Sequence, residues 1–147
     1  MPNLFYLAIA AVSGAAMALQ GTLNALLGKF LGIWESTLIV HLVGTVVALV
    51  IILICGVGFG NFSKAAEVPW YAYMGGVLNV AIIYALVRAI PQIGVGNATT
   101  AIIVAQVSTA LLIDGIGGFG VKKMDFHYLD LLGIVFLAVG ARILLME

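Results

Sequence analysis

Charged residues divide this chain into long uncharged runs at 1–28, 36–63, 68–87 and 89–113. Each reaches the roughly 20 residues that a helix needs to cross a ~30 Å hydrocarbon layer. A fifth apolar segment at 127–146 carries Asp130 and Arg142 near its two ends, where both reach the headgroup region. The runs are continuously apolar, whereas the ~10-residue strands of a membrane barrel alternate. The pattern therefore predicts an all-α membrane protein, a single domain over 1–147, with helices at 3–27, 34–57, 69–90, 94–114 and 127–146.

Breaks fall where the helices are expected to end. Residues 29–32 make a short connection, 56–67 is glycine-rich and polar, and Pro91 through Gly94 interrupts the helical path. The 115–126 segment, with Lys122, Lys123 and Asp125, is the longest hydrophilic connection. Pro69 occupies a natural first helical position, and Trp70, Tyr71 and Tyr73 behind it form an aromatic anchor at the membrane interface. The first segment lacks a basic leader and exceeds the apolar length of a secretory signal, so it is expected to stay as a membrane helix.

Composition sharpens this reading. The 147 residues are 64% hydrophobic and 8% charged, against about 25% charged in a soluble domain. Six basic and six acidic side chains cancel, which leaves no footprint for nucleic acid. Cys55, the single cysteine, lies in an apolar run and excludes an intrachain disulfide or a cysteine-based metal cluster. His41 and His127 are the only histidines, and no nucleophile with its base, metal-ligand set or phosphate-cradling motif is present. An enzyme is not expected, and no cofactor is called for.

Topology follows from counting bases. Five crossings put Lys64, Lys122 and Lys123 on the side of the N-terminus and Lys29, Arg88 and Arg142 on the other. An excess of Lys and Arg in cytoplasmic loops normally sets orientation, and here three face three. Insertion in both orientations follows, and two copies would then pair about a two-fold axis in the membrane plane, as the halves of an inverted-repeat transporter do. A single orientation set by the terminal amine, the Lys122–Lys123 pair or a partner subunit stands beside it.

Polar side chains within the apolar runs are the candidate chemistry. On helix 1, Ser13, Met17, Gln20 and Asn24 share one face, beside a small-residue ridge of Gly14, Ala18, Gly21, Ala25 and Gly28. Neutral amides in hydrocarbon need partners, across helices or in a ligand. Helix 4 aligns Thr99, Gln106, Ala110 and Asp114, and helix 2 offers His41, Gly44, Thr45 and Ala48. Neutral His41 hydrogen-bonded to a neighbouring helix is favoured over a proton relay. Helix 3 groups Gly75, Gly76 and Asn79, read as packing with one polar contact. Glu35 opens helix 2 and Arg88 closes helix 3 on the same side of the membrane; with Asp114 they are candidates for coupling or gating, although an acid in a first turn also suits the helix dipole.

These residues together resemble a known family. The stretch 14–24 (GAAMALQGTLN), then 43–45 (VGT), then 69–76 (PWYAYMGG), then Ala105, Gln106 and Asp114, is similar to the five-helix YdcZ-type proteins. Those belong to the drug/metabolite transporter superfamily and are relatives of the small multidrug resistance transporters. The resemblance spans nearly the whole chain and implies antiparallel dimers, or fused or paired versions of them, in the bacterial inner membrane. The multidrug relatives bind drug and proton at a helix 1 glutamate; helix 1 here has no acid, and Gln20 and Asn24 occupy the comparable stretch. Gly133 and Gly140 on helix 5 are spaced like the glycines of those relatives' dimerising last helix.

The expected function is a secondary transporter, facilitator or exporter of small neutral or weakly polar organic molecules, working as an antiparallel homodimer in the bilayer. Gln20, Asn24 and Gln106 would bind substrate by hydrogen bonds, with His41 and Trp70 in the cavity wall and Gly133 and Gly140 at the dimer contact. The alternative is a non-transporting membrane subunit that supports a partner protein.

Overall fold

A computed structural model describes residues 3–56, 58–121, 123–125 and 127–145. Lys122, counted above in the charge balance, and the expected helix ends at 57 and 146 lie outside the described residues. Helix α1 runs Leu4–Leu31 and α2 runs Ile33–Ile54. Two 3-10 segments follow, Gly60–Glu67 and Trp70–Tyr73. The helical stretch Met74–Ile116 is broken at Gly94 (φ 81°, ψ 163°), which separates α3 (74–93) from α4 (95–116). Helix α5 is Tyr128–Leu144.

Local chemistry accounts for the ends. The Asn3 carboxamide caps α1 by accepting from the Phe5 N–H at 3.0 Å. Gly32 alone joins α1 to α2: its φ of 91° is one that residues with a Cβ rarely adopt, and its N–H closes α1 on the Gly28 carbonyl. The connection expected over 29–32 thus shrinks to one residue, and Lys29 joins the last turn of α1, where a cation suits the helix dipole. Pro69 caps the 3-10 segment rather than opening an α-helix, so α3 starts later than the sequence suggests. The break expected over Pro91–Gly94 falls at the last residue of that stretch. Proline keeps a helical φ and disturbs mainly the preceding turn, and Gly94 is where the backbone leaves the helical region.

Among the described residues, three stretches are long and apolar enough to cross a membrane: Leu4–Leu31, Ile33–Ile54 and Trp70–Ile116. The third, at 47 residues, would extend about 70 Å if straight, twice what one crossing needs. The chain itself buries only 6%, 6% and 17% of the most apolar part of each. Apolar side chains facing outward in such numbers suit lipid or another membrane-embedded surface, not water.

Residues 1–92 and 93–147 form two compact units. In the first, α1 packs on α2, and the buried residues gather at one level: Gly21, Asn24 and Ala25 of α1, Ser36 and Thr37 of α2, and Ile83, Val87 and Ile90 of α3. The small ridge of α1 makes this approach possible. A Cβ at Gly21 would stand 3.2 Å from Ile90 Cδ1, and one at Gly28 would overlap Val87 Cγ1. In the second unit Ala98 of α4 and Ala141 of α5 are buried, and a shallow groove of about 230 Å³ lies among Thr100, Ile103, Phe136, Leu137 and Gly140.

Candidate functional site

A polar seam runs through the buried level of the first unit. Asn24 is only 5% exposed, and Ser36 and Thr37 are 0% and 4% exposed. Both hydroxyls donate to the Ile33 carbonyl, at 2.9 Å and 2.7 Å, as serine and threonine commonly do within a helix. Their protons are therefore spent on α2, and only lone pairs remain. Ser36 Oγ sits 3.5 Å from where a Cβ on Gly28 would be, one turn of α1 beyond Asn24. The Asn24 carboxamide nitrogen is fully enclosed and has no hydrogen-bond partner. An enclosed donor left unpaired costs about 1–3 kcal/mol, so its retention asks for a reason.

Along α2 the seam continues through His41. The ring Nδ1 lies 2.7 Å from the Thr37 carbonyl, and Nε2 lies 3.1 Å from the Asn79 amide nitrogen of α3. A carbonyl only accepts, so Nδ1 carries the proton and Nε2 accepts from the Asn79 NH2 group. Neutral imidazole satisfies both contacts; imidazolium would set two donors against each other until the Asn79 amide turned over. Thr45 donates to the His41 carbonyl at 2.8 Å. At the other end of the seam, in the first turn of α2, the rings of Trp34 and Tyr84 meet 4.9 Å apart and tie α2 to α3 two turns before the histidine.

The remaining sequence-derived candidates distribute unevenly. Ser13, Met17 and Gln20 are exposed, so the polar stripe of α1 runs from a covered end at Asn24 to an uncovered face at Gln20. The small ridge behaves likewise, since a Cβ on Gly14 would meet nothing within 4 Å. Trp70 stands away from the seam, 77% exposed, with its ring edge-on to Tyr71. Glu35 and Arg88 are both exposed and form no ion pair with each other, and a Glu35 carboxylate oxygen folds over Gly32 instead. In the 93–147 unit Gln106 is exposed and Asp114 half-buried. Gly133 is exposed and Gly140 half-buried, and neither has an atom within 4 Å of the Cβ position.

Sequence reasoning grouped Asn79 with the packing glycines and did not single out Ser36 and Thr37. The i, i+4, i+8 spacing of Thr37, His41 and Thr45 was the available signal for a continuous polar edge on α2. The model of the family described as "Putative inner membrane exporter, YdcZ" matches residues 5–143 of the chain. No curated protein and no solved structure matches it.

Proposed function

The chain belongs to the YdcZ family of inner membrane exporters and is a multi-pass inner-membrane protein, and from that premise we propose that two copies, inserted in opposite orientations, carry small neutral or weakly polar organic molecules by alternating access. The observation that carries this reading is the enclosed, unpaired amide of Asn24. A donor held without a partner in a low-dielectric seam is poised for a ligand acceptor, and its cost is recovered when the ligand arrives. Gln20, one turn away on the open end of the stripe, provides a second amide on the path in. Because helix 1 carries no acid, the substrate is expected to be recognised by hydrogen bonds and not by ion pairing.

The inverted pair is supported by the three-to-three balance of bases and by the exposed glycines Gly14, Gly44, Gly75, Gly76 and Gly133, with half-buried Gly140 also open at its Cβ position. In this arrangement the five helices each cross once and α5 clasps the partner.

Flux into liposomes that hold only this protein tests the proposal. Flux is expected for at least one class in a panel of neutral solutes, and the Gln20→Ala/Asn24→Ala protein should lose it while still forming dimers. Full flux by the double mutant would make both amides interhelical glue. Absence of flux across the panel would favour a supporting subunit.

A further inference from the structure

The segment between α2 and α3 carries a groove that the transport reading does not use. It is a shallow, open groove of about 330 Å³, lined by the polar side chains of Asn61 and Lys64 and by Phe62, Val68, Ala72 and Tyr73. Lys64 is the one charged residue among the described lining residues, and its ammonium forms no ion pair. Glu67, on the same 3-10 segment, is exposed and does not line the groove. The shape is braced from within: Tyr73 Oη donates to the Ala65 carbonyl at 2.7 Å, and the rings of Phe59 and Phe62 meet 5.7 Å apart.

Position selects the occupant. Helices long and apolar enough to span a membrane enter and leave this segment, so the groove lies at the membrane surface. Phe62 and Trp70 are 67% and 77% exposed, which suits immersion at the headgroup boundary and not contact with bulk water. A cation beside apolar side chains in one groove matches an amphiphile whose phosphate meets Lys64 and Asn61 while its glycerol and upper acyl carbons lie along Phe62 and Val68. We propose that this groove is a binding site for one anionic phospholipid. The site depends on the interfacial segment alone and is independent of substrate, direction and dimer geometry.

Native mass spectrometry of the full-length protein, titrated with phosphatidylglycerol or phosphatidylethanolamine in neutral detergent, tests it. Phosphatidylglycerol should be retained at one copy per chain and more tightly than phosphatidylethanolamine. Lys64→Gln should weaken it roughly fivefold, the effect of one basic residue at an anionic surface, and Lys64→Arg should keep it. Lys29→Gln, whose lysine lies outside the groove, should leave binding unchanged. Glu67→Gln should tighten it by removing a nearby like charge. Equal retention of the two lipids, full retention by Lys64→Gln, an equal loss in Lys29→Gln, or displacement by millimolar inorganic phosphate would each overturn the proposal.

Discussion

Replacing Asn24 with alanine should make the protein more stable while stopping it from working. The amide nitrogen is enclosed and unpaired, and removing such a donor returns about 1–3 kcal/mol. Alanine also exceeds asparagine in helix propensity by about 0.5 kcal/mol. Against this, the lost amide leaves a small void at a buried position of α1, at a cost of about 0.5–1 kcal/mol. The balance is a gain of about 0.5–3 kcal/mol. If Asn24 instead bonded to a neighbouring helix, its loss would cost about 0.6 kcal/mol, the average for such bonds in membranes. The two accounts therefore differ in sign. Titration of detergent-solubilised protein with dodecyl sulfate, followed by tryptophan fluorescence, measures the difference. Both tryptophans are largely exposed, but Trp34 is the useful reporter because its ring meets Tyr84 across α2 and α3, a contact that unfolding breaks, whereas the Trp70 ring meets its sequence neighbour Tyr71. A shift of the unfolding midpoint to lower dodecyl sulfate in Asn24→Ala would refute the reasoning, whatever happened to transport.

Three further outcomes are expected. Single cysteines placed near either end of the chain, in a Cys55→Ser background, should label from both faces of the membrane, because basic residues balance three to three; labelling from one face alone would end the inverted homodimer. Gly140→Leu should weaken dimers on detergent gels without loss of monomer, since nothing in its own unit lies within 4 Å of the Cβ position; undisturbed dimers would put the clasp elsewhere. Gly28→Ala should destabilise by about 1 kcal/mol, because overlap with the stiff, buried Val87 outweighs the propensity gain, and Val87→Ala in the same chain should relieve it. Gly14→Ala, facing open space, should show only the gain, and a stabilising Gly28→Ala would deny the α1–α3 contact.

Much of this protein is legible in its sequence because the bilayer leaves few choices. An uncharged run of 20 or more residues in hydrocarbon must satisfy its backbone internally, so each run becomes a helix. Gly32, Pro69 and the Pro91–Gly94 stretch mark where those helices stop, and the balance of Lys and Arg raises the question of orientation before any coordinates exist. Residues of one stripe, such as Gln20 and Asn24, follow from helical spacing.

What spacing does not say is which part of a stripe is covered. In a soluble protein the apolar face of a helix points inward, and the pattern itself reports burial. Here lipid is as apolar as a protein core, so leucine and valine carry no such information. Only the crossing of α1, α2 and α3 decides that Asn24 is enclosed while Gln20 is open, and that Gly28 is pressed against Val87 while Gly14 meets nothing. The same crossing brings Asn79 to His41 from 38 residues away and gives Nε2 its donor, whereas the tautomer is set within α2 by the Thr37 carbonyl. The sequence by itself determined the helices and the polar groups they hold. The tertiary structure decided which of those groups find partners, because a hydrogen bond depends on angstrom-scale separations between helices that no one-dimensional period encodes.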